Sequence, residues 1–447
     1  MFEKNKILIL GMARSGYEAA KVLINRGNEV VLNDSKNESE HDFEHMQELK
    51  NLGVKLVFGS HPDDLLDESF DYLIKNPGVP INHKYVLKAN ELNIPVINEV
   101  EMAYQLFKGK VKLIGVTGTN GKTTTTTLIY EVLKAADKRI HLTGNIGYPI
   151  CGFLDSFEEN DIVIMEVSAQ QLENLHEFKP DIAVMTNLSP AHTDFFGNYE
   201  NYKKVKAKIF NKQTQEDLAI LNYDDPDILK ILPSIKSEVK YFSSQKMYSD
   251  CYLKNNAIYY HKEKVCDLDK IKITGTHNYE NIMAMILVVK ELGVPNDLIA
   301  NVLESFKGVE HRLEYVDNIN GRIFYNDSKA TNIESTKTAL KSFEKPTILI
   351  MGGQDRDQEF SDLNAYLRNV RLVVCYGENK QKIKKWLDNL GIYCYECENI
   401  VEATNLAYKK SKSDEVILLS PASASWDQFS SFEKRGELFK ETINKIE

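Results

Sequence analysis

The run Gly118-Thr119-Asn120-Gly121-Lys122-Thr123 lies between an apolar stretch, KLIGVT, and a segment with helical spacing, TTTTTLIYEVLKAA. A glycine-containing turn between a strand and a helix aims backbone N–H groups at an anion held on the positive helix end. In such a turn Lys122 reaches the outer phosphates of a nucleotide, and the Thr123 hydroxyl is a ligand for Mg²⁺. The strict spacing G-x-x-x-x-G-K-[ST] is not met, because Val116 stands where its first glycine belongs. A threonine-rich turn without a ligand is the bland reading. The strand before it and the helix after it favour phosphate.

Further groups with this chemistry close the next apolar runs. Glu166 ends DIVIMEVS, and His192 and Asp194 follow DIAVMTNL. A carboxylate suits Mg²⁺, which takes oxygen ligands shared with phosphate. The histidine can serve the same metal region or a substrate oxygen. One histidine in a loop is usually surface decoration, but three such groups at two strand ends favour a site. Nearer the start, Gly11, Ser15 and Gly16 follow KILILGM, and Asp34 ends EVVLND. This is a weak dinucleotide fingerprint, since Ala13 replaces its middle glycine. A phosphate or uridine group fits equally well. The loops Asp327–Asn332 and Ser420–Ser425 end two later apolar runs, where capping and ligand binding are equally compatible.

These groups need elements to position them, and three blocks supply them. Residues 1–99 alternate short apolar runs with helical stretches (15–26 and about 41–52), the pattern of a doubly wound parallel sheet. Residues 100–308 carry the phosphate loop. Within them, 239–274 read as short antiparallel strands turning at Asn255-Asn256, before a helix over about 278–292. Residues 309–447 repeat strand-then-loop units at RIFYNDS, TILIMGG, LVVCYG and EVILLSP. The expected fold is therefore α/β with three domains. The first and last are Rossmann-like, and the central one is P-loop ATPase-like with a small antiparallel sheet.

Composition narrows the function. The chain has 447 residues, 43% hydrophobic, with 55 Lys plus Arg against 65 Asp plus Glu, a net charge of -10. That argues against a nucleic-acid binder held by bulk charge. The opening MFEKNKILILGMARSG is too short and too soon interrupted for a signal peptide or a membrane span. Cys394 and Cys397 form a lone C-x-x-C without a second half, so reduced thiols and a cytoplasmic location are expected.

In order along the chain, GTNGKTT (118–124), GTHNYENIMAM (275–285), EHRLE (310–314) and NDSKATN (326–332) resemble the Mur ligase family over nearly its whole length. The stretch LSPASASWDQFSSFEKRG (419–436) is similar to members that add D-glutamate to UDP-N-acetylmuramoyl-L-alanine. L-alanine-adding members and folylpolyglutamate synthetases share the phosphate loop but lack this stretch. The resemblance implies an ATP-dependent ligase of peptidoglycan precursor synthesis, and hence a part in cell shape and division. It implies a cytoplasmic monomer with no nucleic acid and no membrane insertion.

It also implies site residues. Ser15, Gly16, Asp34, Ser35 and Lys36 would hold the UDP portion, and Asn145, Gln171 and His192 the muramoyl-alanine end. ATP would lie on Gly118, Thr119, Asn120, Gly121, Lys122, Thr123 and Thr124, with Asn281 and Arg312 near the adenosine. Asp327 and Lys329 would close over the nucleotide. Thr331, Arg356, Ser425 and Phe432 would bind D-glutamate. Lys122, Glu166, His192, Lys206 and Lys329 carry the catalytic roles. Two Mg²⁺ ions are expected on Thr123, Glu166, His192 and a carbamate on Lys206. Lys206 borders an apolar helix side made by Val205, Ile209 and Phe210, whereas a solvated basic face is the plain reading. Three positions depart from the family: Lys36 replaces a frequent arginine, Arg356 a frequent lysine, and Ala191 a frequent acidic residue before His192.

Overall fold

The computed structural model describes residues 2–446, apart from the side chain of Asp194. Three sheets carry the chain. The first is all parallel, in the order Lys55–Val57, Glu29–Asn33, Lys6–Leu10, Tyr72–Lys75, Val96–Ile97. Its inner strands are near-continuous apolar runs, as strands covered on both faces must be. Helix Arg14–Asn25 follows the first strand directly. Gly16 permits that closeness, because a Cβ there would stand 2.0 Å from the Gly11 carbonyl oxygen.

The central sheet has nine strands: Glu263–Asp267, Ala257–Tyr260, Cys251–Lys254, Glu238–Ser243, Leu218–Asn222, Ile182–Met185, Lys112–Thr117, Ile162–Glu166 and Ile140–Gly144 in spatial order. Strand Lys112–Thr117 is flanked on both sides by later strands, so the chain order reverses there. Open α/β sheets bind ligands beyond the strand ends at such a point. The antiparallel strands differ in detail from expectation. Glu238–Ser243 pairs parallel with Leu218–Asn222, and residues 271–275 form no strand. The hairpin Cys251–Lys254/Ala257–Tyr260 does turn on Asn255 (φ 47°) and Asn256 (φ 57°). It is not a separate sheet but pairs through Phe242↔Cys251 and Ser243↔Tyr252 onto the central one. A lone hairpin is marginal in water, and this docking covers an edge that would otherwise be exposed.

The third sheet runs Glu314–Ile319, Arg322–Asn326, Val416–Leu419, Thr347–Gly352, Val370–Tyr376, Tyr393–Glu396. Only its first strand is antiparallel to its neighbour.

Two compact units result. One contains the residues up to Cys266 together with Glu280–Ile299, and the other Asp267–Tyr279 with the residues from Ala300 onward. Within the first unit, one apolar cluster runs from Ile7, Ile9 and Val30 through Met102 and Phe107 to Leu113, Val163 and Ala183. Helix Glu99–Phe107 links the two sheets and is capped by Asn98, which accepts from the Glu101 N–H at 3.0 Å. The buried Glu101 carboxylate accepts backbone N–H groups from His176, Glu177 and Phe178 at 2.9–3.1 Å. The first and central sheets thus share one core. Among the described residues no helix is long and apolar enough to cross a membrane.

Candidate active site

Helix Lys122–Ala135 starts from Gly121, whose φ of 83° lies in the left-handed region. A Cβ on Gly121 would stand 2.1 Å from Asn281 Oδ1, and one on Gly118 would stand 1.9 Å from Thr186 Oγ1. Both glycines are therefore dictated by contact as well as by conformation. The loop is pinned from the neighbouring strand end. Thr119 N–H donates to the Asn187 carbonyl and Asn120 N–H to Asn187 Oδ1, each at 2.9 Å. Lys122 Nζ folds back to the carbonyls of Gly118 (2.9 Å) and Thr119 (2.8 Å). Val116 is a fully buried strand residue, so no glycine is needed there. Asn281, buried, also accepts from Thr125 Oγ1 at 3.4 Å, which sets it beneath the phosphate loop. Thr123 is buried and Thr124 half-buried on the same first turn.

Strand Ile162–Glu166 lies beside the loop strand and ends with Glu166 at 1% exposure. Glu166 Oε1 accepts from Asn145 Nδ2 at 2.7 Å. Its Oε2 is buried with no hydrogen-bond partner. An orphaned carboxylate oxygen beside a phosphate loop is the donor chemistry a hard cation requires.

Lys206 lies in helix Tyr199–Ala207 and is also 1% exposed. Its amine stands 3.3 Å from Thr117 Oγ1 and 5.0 Å from the Tyr202 ring centroid. Burial, and then the Lys122 charge, hold its pKa well below the ordinary 10.5, with Glu166 acting in the opposite direction. Its neighbour Lys203 differs: it pairs with Glu200 (2.7 Å) and Asp227 (3.2 Å). The solvated-face reading therefore fails for Lys206. His192 has φ 51° and caps the short helix Thr193–Phe196. Asp194's side chain lies outside the described residues.

Lys122, Asn145, Gln171, His192 and Lys206 line one cavity of about 600 Å³ together with Ser15, whereas Thr123 and Glu166 are not part of its lining. Asn76 and Tyr202, not singled out by the sequence, line it too. The Asn76-Pro77-Gly78 turn at a strand end was the available signal for the first. Asn76 Nδ2 donates to Ser15 Oγ at 3.0 Å. A second cavity of about 470 Å³, in the first sheet, is lined by Gly11, Asp34, Ser35 and Lys36. The two share Ala13, Asn76 and Gly78. Asp34 accepts the Met12 N–H (2.8 Å) and the Lys36 N–H (3.0 Å), so it shapes the loop. Gly16 lines neither cavity and serves packing.

In the second unit a cavity of about 330 Å³ brings Thr331 and Arg356 together with Gln358, Ala422 and Ala424. Arg356 Nε donates to Gln354 Oε1 at 3.2 Å, and its guanidinium lies 4.5 Å from the Trp426 ring centroid. Ser425 is buried away from this lining, and Phe432 instead stacks near Lys329, 5.8 Å from its amine. Asp327 is buried; desolvation pushes its pKa up to about 7 against the hydrogen bond from Ser420 and the Arg312 charge. The fully buried Arg435 donates to Ser328 and to the Ser423 carbonyl at 2.8–3.0 Å. It clamps the 326–332 loop to the 419–436 stretch, a structural reason for the EKRG sequence. Arg312, Asp327 and Lys329 belong to this second unit, and Asn281 to the first.

Residues 5–98 match the Mur ligase MurD-like N-terminal domain, 116–289 the Mur ligase middle domain, and 311–423 the Mur ligase glutamate ligase domain. The chain belongs to the Mur ligase family. It is 42% identical over 448 residues to the UDP-N-acetylmuramoylalanine–D-glutamate ligase of Geobacillus sp. (strain WCH70), covering 100% of this chain and 98% of that one. The protein of the same name from Bacillus thuringiensis (strain Al Hakam) is 42% identical over 447 residues, with the same coverage. Among solved Mur ligase structures, UDP-N-acetylmuramate–alanine ligase of Thermotoga maritima shares the fold at TM-score 0.60 and 21% identity, over 98% of this chain and 99% of that one. The MurF ligase of Thermotoga maritima in complex with ADP does so at TM-score 0.58 and 18% identity, over 99% and 96%.

Proposed function

We infer that this Mur ligase joins D-glutamate to UDP-N-acetylmuramoyl-L-alanine at the expense of ATP, in peptidoglycan precursor synthesis. The observation that carries the reading is the single cavity lined by Lys122, Asn145, Gln171, His192 and Lys206, in a chain whose full-length relatives bear that name.

The alanine carboxylate is a poor electrophile. ATP activates it: a carboxylate oxygen forms a bond to the γ-phosphorus, the bond to the β-phosphate oxygen breaks, and ADP leaves. The D-glutamate amine then attacks the acyl carbon, loses a proton, and phosphate departs. Both steps bring anions together, so Lys122 offsets charge on the phosphates, the role that the resemblance also gives Lys329. Asn145, Gln171 and His192 orient the acyl end, while Asp34, Ser35 and Lys36 hold the UDP portion about the second cavity. Gly118–Thr124 cradle the ATP phosphates with Asn281 beside them, and the resemblance adds Arg312 and Asp327 to the nucleotide contacts. Thr331 and Arg356 receive D-glutamate, where a guanidinium fork suits a carboxylate; Ser425 and Phe432 join them by resemblance. Thr123, Glu166, His192 and a carbamate on Lys206 would hold two Mg²⁺ ions, which supply charge neutralisation at the transferring group. The buried oxygen of Glu166 and the lowered pKa of Lys206 support that assignment, because carbamylation needs a neutral amine. The same reading takes the enzyme as a cytoplasmic monomer with residues 1–99, 100–308 and 309–447 as its UDP-binding, ATP-binding and amino-acid-binding domains.

Phosphate release with MgATP and UDP-N-acetylmuramoyl-L-alanine tests it. D-glutamate should be used far better than L-glutamate or L-alanine. Equal turnover of L-alanine with the nucleotide lacking alanine would overturn the substrate assignment.

A further inference from the structure

Three histidines that no motif singled out, His41, His61 and His83, line the 470 Å³ cavity beside Asp34 and Lys36. Hydrogen bonding sets the tautomers of two of them. Asn33 Nδ2 donates to the carbonyls of Val57 and Ser60 at 2.8 Å, so Asn33 Oδ1 is turned to accept. His61 Nδ1 lies 2.5 Å from that oxygen and must be the protonated nitrogen. His83 is the opposite case. It caps helix Lys84–Glu91, and its Nδ1 accepts the Tyr85 N–H at 3.2 Å, so the proton of a neutral ring sits on Nε2.

The surroundings favour the neutral form of both rings. Burial lowers the pKa of each, joined by Lys84 for His61 and by His61 and Lys84 for His83. The rings meet edge to face, with centroids 4.7 Å apart. Neither Nε2 has a hydrogen-bond partner among the described residues. The two rings lining the cavity therefore offer one imidazole acceptor, His61 Nε2, and one imidazole donor, His83 Nε2–H. His41 Nε2 on the same lining is buried and also lacks a partner.

An adjacent acceptor and donor is the complement of a uracil imide edge, where an N3–H lies next to a carbonyl oxygen. Cytosine reverses the pattern, with a bare N3 next to an amino group. We propose that His61 and His83 read the base of the nucleotide substrate, His61 accepting from the N3–H and His83 donating to a neighbouring carbonyl, so that uracil is selected over cytosine. This rests on the reading that the cavity holds the uridine end.

Calorimetry with UDP and CDP tests both levels. The wild-type protein should prefer UDP by about a hundredfold. His61→Ala and His83→Ser should each narrow that ratio by about tenfold, the scale of one lost hydrogen bond. Serine keeps the helix cap that His83 supplies, and melting curves check that each variant folds. Lys36→Ala reports on the cavity itself and should weaken UDP and CDP alike. If Lys36→Ala weakens both nucleotides while the histidine variants leave the ratio unchanged, the uridine assignment stands and the base-reading proposal falls. If Lys36→Ala leaves UDP affinity intact, the cavity is not the nucleotide site and both fall.

Discussion

Asn145 holds one oxygen of Glu166 in a 2.7 Å hydrogen bond and leaves the other, equally buried, with nothing to accept. A carboxylate half satisfied in this way is costly unless a cation completes it. Glu166→Gln keeps the shape and the bond to Asn145 but removes the charge. Turnover should fall at least about a hundredfold, and half-maximal activity should need more Mg²⁺. An unchanged Mg²⁺ titration would remove Glu166 from the metal site.

Lys122 is the second test. With its amine folded over the loop carbonyls, Lys122→Ala should cut turnover at least about a hundredfold while the melting temperature stays close to that of the parent. Near-normal turnover would show that the catalytic phosphate site lies elsewhere.

Gly121 bears on the same loop by a steric route. Gly121→Ala places a methyl 2.1 Å from Asn281 Oδ1 at a φ of 83°. ATP affinity should drop steeply, as measured by calorimetry, with little change in UDP affinity. Loss of both together would mean that the substitution unfolds the unit.

Lys206 separates stability from activity. A lysine whose folded pKa is depressed binds fewer protons folded than unfolded, so its cost to stability vanishes above its ordinary 10.5 and grows as pH falls below that value. In CO₂-free buffer, Lys206→Met should therefore melt higher than the parent at pH 7, with the gap closing toward pH 10.5. Lys206→Ala should be nearly inactive and regain part of its activity with acetate. An alanine variant of full activity would leave the residue no catalytic role.

Arg356→Ala should raise the D-glutamate KM while leaving the ATP KM unchanged. Trp426→Ala, which removes the ring beneath the guanidinium, should shift the same constant in the same direction but less. A change confined to ATP would move Arg356 to the nucleotide site.

What could be read from the residues follows how local each constraint is. The phosphate loop was legible despite Val116, because its glycines answer to backbone φ and to a helix start a few residues away. Asp34 was legible for a related reason, as it ends one strand of an alternating pattern, whereas Lys36 was named only through the resemblance. Helical spacing showed that Lys206 borders an apolar side. Its depth depends on Thr117 and Tyr202, and Thr117 is 89 positions distant along the chain. The partner of strand Glu238–Ser243 was illegible for a related reason, since an apolar run does not say in which direction its neighbour runs. His61 and His83 carry no motif at all. Their roles emerge only once Asn33 and the Tyr85 amide fix which nitrogen holds the proton.

The Glu101 carboxylate, which takes three amides from the turn 176–178, has a practical consequence for taking the protein apart. Expressing residues 1–98 alone as a portable UDP sensor would keep the strands of the first sheet but lose the helix that this acid fastens to the turn, and with it the apolar partners Met102 and Phe107. The remaining fragment, beginning at the helix, would keep the acid and lose the apolar partners Ile7, Ile9 and Val30. Neither half would be a clean module. A cut near residue 299 would keep the first unit whole but carry with it Asp267–Tyr279, which belongs to the second.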